Sequence, residues 1–258
     1  MKFAFGILFL GVAFAATTPG APSEDLIPDN IITNGYTAPE GKAPYIVFLT
    51  FRSGDWNAWC GGSIIGNNWV ITASHCTKPY NSVTIYYGSL HRNQGQVVLT
   101  VSGNNNIINH SSDDIALIRT PHVNFNNAIN RVRLPSFSDR NNRYVNRWTT
   151  ACGWGRTTTT NTPDRLMCVD SQVISNAQCR RTYNSNWVKD QILCVSTTGG
   201  RSICAGDSGG PLVTRDDQIL IGVTNFYNEG SCTTGKPSGF ARVTSHLDWI
   251  RQHTGISY

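Results

Sequence analysis

The sequence predicts an all-β fold that ends in one α-helix. Short runs rich in β-branched and aromatic residues recur from residue 32 onward, and clusters of Gly, Asn and Pro separate them. Helical periodicity occurs only near the C-terminus. With 258 residues, the chain is long enough for one large all-β domain or for two small lobes.

The segment that precedes these runs has the features of an export signal and a pro-segment. Lys2 is followed by an uncharged apolar run that ends in the small-x-small sequence Ala13–Ala15. Because this run is too short to span a bilayer, residues 1–15 are predicted to be a signal peptide. Residues 16–31 are acidic, contain prolines and lack periodicity, so they are predicted to be a short pro-segment before a domain at 32–258. No later segment is apolar enough to cross a membrane, and the mature protein is expected to be secreted.

The strands and the helix follow from local patterns. Runs of Val, Ile, Tyr and Phe bounded by turn residues are predicted as strands. They are 45–51, 69–72, 83–87, 97–101, 115–118, 219–223 and 239–243. Thr244–His253 is predicted to be helical, since Thr or Ser can cap it, and Val243, Leu247 and Ile250 share one face that can pack on a sheet.

Composition narrows the classes of function. The eight cysteines form an even set, which in an exported chain predicts disulfides. No CxxC pair occurs and only His75 adjoins a cysteine, so zinc is not expected. Residues 81–112 contain no Asp or Glu, so calcium is not expected either, and neither a metal nor a cofactor is predicted. The net charge of +5 is dispersed, and we interpret the arginines between 131 and 147 as a solvated face rather than a nucleic-acid site.

Three segments contain the residues for nucleophilic catalysis. Ser208 lies in Gly206–Pro211, His75 in Thr72–Cys76 and Asp114 at the start of an apolar run. A serine hydroxyl is a poor nucleophile at neutral pH unless an imidazole takes its proton and a carboxylate fixes the tautomer of that imidazole. Asp113 adjoins Asp114 and is predicted to be its surface neighbour, because the Ile-Ala-Leu run follows Asp114 directly.

An α/β-hydrolase is the first alternative. The sequence around Ser208 also satisfies the G-x-S-x-G pattern of that fold, whose acid and histidine follow the serine. The partners would come from Asp216, Asp217, Asp248, His246 and His253. That fold needs alternating strands and helices, and the scarcity of helical pattern upstream disfavours it.

Several segments together resemble the chymotrypsin/trypsin family of serine endopeptidases over residues 32–258, and within it most closely the insect digestive enzymes called Jonah-type. The segments are Ile32–Gly35, Trp59–Ser63, Trp69–Cys76, Gly153–Gly155, Cys204–Pro211 and Gly239–Val243. The resemblance implies two six-stranded antiparallel β-barrels with the active site in the cleft between them. It implies protein or peptide substrates, proteinaceous inhibitors, a monomer, and digestion as the role, with the lumen of the digestive tract as the place.

The resemblance also assigns roles to residues. His75 would be the general base, Asp114 its orienting partner and Ser208 the nucleophile, with the N–H groups of Gly206 and Ser208 as the oxyanion hole. Asp207 would pair with the ammonium group released at Ile32, as a buried ion pair that orders the site after cleavage. Non-catalytic homologues that act as binding proteins usually lack a triad residue, and none is missing here.

The implied disulfides are Cys60–Cys76, Cys179–Cys194 and Cys204–Cys232, and the two cysteines that remain are paired as Cys152–Cys168. The base of the specificity pocket aligns with Ser202, six residues before Ser208, and its walls with Tyr227 and Ser238. A serine at the base cannot neutralise a substrate Lys or Arg, and Tyr227 would narrow the entrance. The expected preference is therefore chymotrypsin- or elastase-like, for uncharged apolar side chains.

Two local features concern processing. Asp29–Ile31 precede Ile32 where most family precursors have Arg or Lys, which predicts activation by a non-tryptic protease or by self-cleavage. Asn109 begins the sequon Asn-His-Ser and is a candidate for glycosylation in an exported chain.

Overall fold

The structure is a computed structural model that describes residues 35–53, 56–103, 105–157, 162–228 and 231–258. The predicted signal peptide, the pro-segment and Ile32 lie outside the described residues. No helix among the described residues is long and apolar enough to cross a membrane.

Strands and short helices alternate irregularly along the chain. The strands are β1 (Tyr36–Thr37), β2 (Ile46–Ser53), β3 (Trp56–Gly66), β4 (Trp69–Thr72), β5 (Ser82–Tyr87), β6 (Val97–Ser102), β7 (Ile107–Asn109), β8 (Ala116–Arg119), β9 (Trp148–Gly153), β10 (Met167–Ile174), β11 (Ile192–Val195), β12 (Pro211–Thr214), β13 (Leu220–Phe226) and β14 (Ser238–Arg242). The α-helices are α1 (Ser74–Thr77), α2 (Asn176–Cys179) and α3 (Leu247–Thr254).

The N-terminal half forms an antiparallel sheet in the order β6-β5-β2-β3-β4-β8-β7. Its two end strands, β6 and β7, are consecutive in the chain. Gly103 separates them in the left-handed region at φ 92°, and its carbonyl accepts the N–H of Asn106 at 3.0 Å. Because this turn is short, it holds the two ends of the sheet close together and curls the sheet into a barrel.

The C-terminal half closes by hydrogen bonding. Its order is β1-β10-β11-β14-β13-β12-β9, and β9 also pairs with β10, so β9–β14 form a closed ring of six strands to which the short β1 is added. The prediction of an all-β, two-barrel fold with a C-terminal helix is therefore confirmed. The sixth strand of the first barrel is present as two pieces, β6 and β7.

The C-terminal helix packs as its periodicity predicts, but it begins differently. Val243, Leu247 and Ile250 are all buried. Residues 243–246 form a 3₁₀ turn, and α3 begins after His246 with no side-chain cap, so the expected Thr or Ser cap is absent from this helix. The helix ends at Gly255, which adopts φ 73°, a conformation that glycine accepts at no steric cost.

Four disulfides connect neighbouring elements. They are Cys60–Cys76, Cys152–Cys168, Cys179–Cys194 and Cys204–Cys232, the same pairs that were expected from the sequence. Three of them join cysteines 15 or 16 residues apart, and the fourth joins cysteines 28 apart. Loops of about this length give each bridge roughly 3 kcal/mol of stabilisation in the chain-entropy model.

Candidate active site

His75 lies at the point where β4 ends and α1 begins. Ala73 is still extended, at φ −86° and ψ 144°, and the next residue starts the helix. The disulfide between Cys76 and Cys60 ties this turn to β3. The turn holds the imidazole at the surface, with 44% of the side chain exposed, where a substrate can reach it.

Asp114 lies two residues before the start of β8, and β8 pairs with β4 through Ala116 and Thr72. Its Oδ2 lies 2.7 Å from His75 Nδ1, while its Oδ1 accepts the backbone N–H of His75 at 2.8 Å and the hydroxyl of Ser74 at 3.0 Å. An ionised carboxylate only accepts hydrogen bonds, so the proton of the neutral imidazole resides on Nδ1. His75 Nε2 is then a proton acceptor, as a general base requires.

The contacts of Asp114 also determine its charge. Burial acts to raise the pKa of this carboxyl, but the hydrogen bonds and charge of His75 and the hydroxyl of Ser74 outweigh burial and hold the pKa below its usual range. Asp114 is therefore ionised at neutral pH. The sequence assigned no role to Ser74, although this residue adjoins His75 in the segment Thr72–Cys76.

The loop around Ser208 leaves two backbone donors unused. The N–H of Asp207 donates to the carbonyl of Cys204, and that of Gly209 to the carbonyl of Thr224. Among the described residues, no acceptor receives the N–H groups of Gly206 or Ser208. Neighbouring free N–H groups beside a nucleophile can stabilise the negative oxygen that forms when a carbonyl is attacked.

This loop meets the first barrel through glycines. The N–H of Gly61 on β3 donates to the carbonyl of Ser208 at 2.8 Å. Gly209 adopts φ 75°, and a Cβ there would lie 2.6 Å from the carbonyl oxygen of Gly61 and 3.1 Å from the nitrogen of Ala73. Only glycine fits so close to another backbone in this conformation. Ser208 is thereby held beside the chain segment that carries His75.

Trp59 packs against the loop around Ser208 at Gly206. Gly206 adopts φ 98°, and a Cβ on it would lie 2.7 Å from Nε1 of Trp59. The indole therefore packs directly on the backbone that presents one of the free N–H groups. The indole N–H is buried and donates to no described group. Sequence reasoning included Trp59 in a motif but assigned it no role.

Asp207 is buried behind the loop. Its Oδ1 accepts the N–H of Gly155 at 2.7 Å and its Oδ2 accepts the N–H of Cys204 at 2.9 Å. Burial raises the pKa of this carboxyl to about 6, although the two backbone hydrogen bonds act to lower it. The partner that the sequence predicts, the ammonium group of Ile32, lies outside the described residues.

The raised pKa of Asp207 predicts a pH-dependent stability of the uncleaved chain. The folded state binds the proton more tightly than the unfolded state, so this contribution is fully present below pH 4 and is lost as pH rises through about 6. The expected loss of unfolding free energy is on the order of 3 kcal/mol. Urea unfolding between pH 4 and 7 of uncleaved Ser208→Ala protein, which cannot digest itself, measures it. The additional change Asp207→Asn should flatten the profile, and an unchanged profile would contradict the assignment.

Two of the three predicted pocket residues are in contact, and all three have uncharged side chains. Ser202 and Ser238 are 3% and 1% exposed, and their hydroxyl oxygens are 2.9 Å apart. Ser202 also donates to the carbonyl of Ile203, so Ser238 is the donor between the two hydroxyls. Tyr227 is partly buried against the core of the second barrel. The three residues predicted for the pocket therefore offer hydroxyl groups and no ionised side chain.

The acidic residues considered for the alternative α/β-hydrolase assignment form ion pairs with arginines. Asp216 and Asp217 pair with Arg147, and Asp248 pairs with Arg140, all at the surface.

Asn109, the candidate for glycosylation, lies on β7 and accepts a hydrogen bond from the hydroxyl of Thr77 through Oδ1.

Comparisons with known proteins agree with this geometry. The sequence profile of the Trypsin family matches residues 32–250. The chain is 52% identical over 235 residues to Serine protease 1 of Drosophila melanogaster, which covers 88% of this chain and 87% of the relative. It is 40% identical to Collagenase of Hypoderma lineatum, with 88% of each chain covered, and 32% identical to Chymotrypsin of Phaedon cochleariae, with 98% of each covered. A solved structure of HL collagenase, 40% identical, superposes with a TM-score of 0.82 over 88% of this chain and all of the other.

Proposed function

The chain belongs to the trypsin family and is a serine endopeptidase, and we propose that Ser208, His75 and Asp114 are its catalytic triad. The observation that supports the triad most directly is the 2.7 Å contact between Asp114 Oδ2 and His75 Nδ1. The loop that carries Ser208 is held against the segment that carries His75 by contacts at Gly61 and Gly209. The alternative, a non-catalytic homologue that acts as a binding protein, has no comparable support, because none of the three residues of the proposed triad is missing and the N–H groups of Gly206 and Ser208 have no acceptor among the described residues.

In the proposed reaction, His75 Nε2 takes the proton of Ser208 as the hydroxyl attacks a peptide carbonyl. Asp114 stabilises the imidazolium that results, and the N–H groups of Gly206 and Ser208 bind the oxyanion. His75 then gives its proton to the leaving amine, and the acyl group remains on Ser208. Water releases the acyl group by the same route, with His75 again as base and then acid.

We propose a preference for uncharged apolar side chains at the position before the cleaved bond. The support is the paired hydroxyls of Ser202 and Ser238, which cannot neutralise a Lys or Arg, and burial of an unpaired cation costs several kcal/mol. That one relative is named chymotrypsin agrees with this preference. Cleavage-site profiling of the activated enzyme on a peptide library tests it. Abundant cleavage after Lys or Arg would overturn it.

A carboxylate at the pocket base should change this preference. Ser202→Asp is expected to raise kcat/KM for substrates with Lys or Arg by at least about tenfold, because an ion pair replaces an uncompensated charge. It should lower kcat/KM for apolar substrates, since the carboxylate must then be buried without a partner. Ser138→Asp serves as the control, because Ser138 is exposed and distant from Ser202 in the sequence. If both variants cleave Lys and Arg substrates equally, Ser202 does not lie at the base of the pocket.

We further propose that the enzyme is secreted as a precursor and activated by cleavage before Ile32 without a tryptic protease. Four disulfides support export, because disulfides form and persist in oxidising compartments outside the cytosol. N-terminal sequencing of the active enzyme tests the processing site. A start at a residue other than Ile31 or Ile32 would contradict this proposal.

A further inference from the structure

Directly next to the catalytic carboxylate, a second group of titratable side chains meets. His246 Nε2 lies 3.0 Å from Asp113 Oδ2, and His110 Nδ1 lies 3.7 Å from the same oxygen. The three ligand atoms all lie within 4.8 Å of one another. The sequence analysis predicted Asp113 to be a surface neighbour of Asp114. It is instead only 24% exposed and contacts the buried His246.

The hydrogen bonds of His246 show that a cation belongs between it and Asp113. His246 Nδ1 lies 2.8 Å from the carbonyl oxygen of Arg242, and a carbonyl can only accept, so Nδ1 bears a proton. In the neutral ring, Nε2 therefore presents a lone pair. That lone pair would face a carboxylate oxygen, which also only accepts. Such a contact is stable only with a proton or a metal ion between the two atoms.

His110 Nδ1 is the third candidate ligand, and a bound metal would take the lone pair that now accepts two backbone N–H groups. Its Nδ1 accepts the backbone N–H groups of Ser112 at 3.3 Å and Asp113 at 3.1 Å, so this nitrogen is unprotonated. The ring packs edge-on against both His246 and Trp249, with centroids 5.1 Å apart in each case, which fixes its orientation.

We propose that His246, Asp113 and His110 form a binding site for a divalent transition-metal ion, with Zn²⁺ as the best fit. Zinc binds histidine nitrogens and carboxylate oxygens at about 2.0–2.2 Å in tetrahedral geometry, which places ligand atoms roughly 3.3–3.6 Å apart. The observed separations of 3.0 and 3.7 Å lie close to this range on either side. The metal takes the position of the proton between His246 and Asp113, and that proton passes to solvent.

The surroundings also suit a metal. The Arg242 carbonyl that holds His246 Nδ1–H is the kind of outer partner that orients metal-binding histidines. His246 is 1% exposed, whereas His110 and Asp113 are 18% and 24% exposed, so an ion can enter from their side and keep a water as fourth ligand. The sequence shows no metal motif because the ligands come from two distant segments. Cys60, His75 and Cys76 also cluster, but both sulfurs are in a disulfide and cannot bind.

Occupation of this site would inhibit the enzyme. Asp113 adjoins Asp114, and Ser74 Oγ contacts both the carbonyl of Asp113 and the carboxylate of Asp114. A bound dication next to Asp114 opposes the positive charge that develops on His75 during attack. The inhibition rests on the proposed function, whereas binding of the metal does not.

Calorimetric titration of the full-length Ser208→Ala chain with ZnCl₂ tests binding without any need for catalysis. We expect a single site, and Co²⁺ in its place should show the strong visible absorption of four-coordinate cobalt. His110→Gln, which leaves the buried His246 intact, should weaken binding at least about tenfold, and Asp113→Asn should do the same. Circular dichroism verifies that both variants fold.

His91→Gln is the matched control. His91 Nδ1 forms a similar pair with Asp164 at 2.6 Å, and no third ligand joins that pair in the described part of the chain. This variant should bind Zn²⁺ as the parent does. If no Zn²⁺ binds, or if His110→Gln and Asp113→Asn leave the affinity unchanged, the site is occupied by a proton alone and the proposal is wrong. Binding that disappears only with His75→Gln would place the ion at the catalytic histidine and would likewise overturn it.

Turnover by the activated enzyme tests the inhibition. Zn²⁺ should lower kcat/KM of the wild type and of His91→Gln in parallel with occupancy, and should lower that of His110→Gln only at concentrations about tenfold higher or more. If zinc binds at these residues without a change in turnover, the proposed inhibition is wrong and the proposed metal site still stands. An inactive wild-type enzyme would refute the proposed function, and the calorimetric result would stand independently.

Discussion

Ser208→Ala is expected to reduce kcat/KM for peptide substrates by about six orders of magnitude, the scale of loss when a serine nucleophile is removed from an intact triad. The hydroxyl is the only group in the loop that can form the acyl-enzyme. The methyl group of alanine fits where the hydroxymethyl was, so the loss should be in kcat and the fold should not change. Steady-state hydrolysis of a peptide amide by the purified variant measures the effect.

Controls for this change come from the loop itself. The backbone N–H of residue 208 and its carbonyl, which accepts from Gly61, are unaffected by the substitution. The variant should therefore bind a peptide substrate with nearly the same affinity and unfold at nearly the same temperature. An organophosphorus reagent should label the wild type at Ser208 and should not label the variant. Turnover within tenfold of the wild type, in a preparation that the reagent does not label, would disprove the nucleophile assignment.

Asp114→Asn is expected to lower kcat/KM about 10⁴-fold at neutral pH while leaving the fold intact. The oxygen of the new amide would continue to accept from the backbone N–H of His75 and from Ser74. Its NH₂ group would then face His75 Nδ1. Because an NH₂ group only donates, the imidazole must place its proton on Nε2, and it can no longer take the proton of Ser208.

Ser74→Ala separates this tautomer effect from general loosening of the site. It removes one hydrogen bond to Asp114 but leaves the contact between Asp114 Oδ2 and His75 Nδ1. We expect a loss of about tenfold, the scale of one hydrogen bond to a charged group. A nitrogen NMR spectrum of His75 should show the proton on Nδ1 in Ser74→Ala and on Nε2 in Asp114→Asn. Equal losses of activity in the two variants would contradict the tautomer argument.

The strands that could be predicted from the sequence are those whose own residues specify them. The run 69–72 is β4 to the residue, 97–101 ends one residue before β6 does, and 115–118 begins and ends one residue before β8. β9, β10, β11 and β12 were not predicted. β9 and β10 carry Thr, Ser, Asp, Gln or Cys at half of their positions, and β11 and β12 are only four residues long. Their stability comes from pairing with distant strands and from burial in the second barrel, which no local pattern records.

The candidate site shows the same division. The order His75, Asp114, Ser208 and the glycines around the serine were recognisable because the chemistry requires those residue types. The packing of Trp59 on Gly206 and the pairing of Asp113 with His246 were not, since each depends on how two separate segments meet. Serine at positions 202 and 238 suggested an uncharged pocket. The hydrogen bond between their hydroxyl groups could be recognised only in the folded structure, because 36 residues separate the two serines in the sequence.

The disulfides have a consequence for the lifetime of the enzyme. All eight cysteines are paired, and every bridge closes within one barrel: Cys60–Cys76 in the first, the other three in the second. The proposed nucleophile and its base thus sit on two barrels that no disulfide joins and that are linked by the chain between β8 and β9 and by the chain between β1 and β2. One proteolytic cut in residues 120–147 would leave two halves that are still held together by the pairing of β1 with β10 and by a hydrophobic cluster that contains residues of both halves, Ile71 and Val213 among them. The first cut in this connection should therefore leave the two halves assembled, and no disulfide would retain them once later cuts had weakened their contacts.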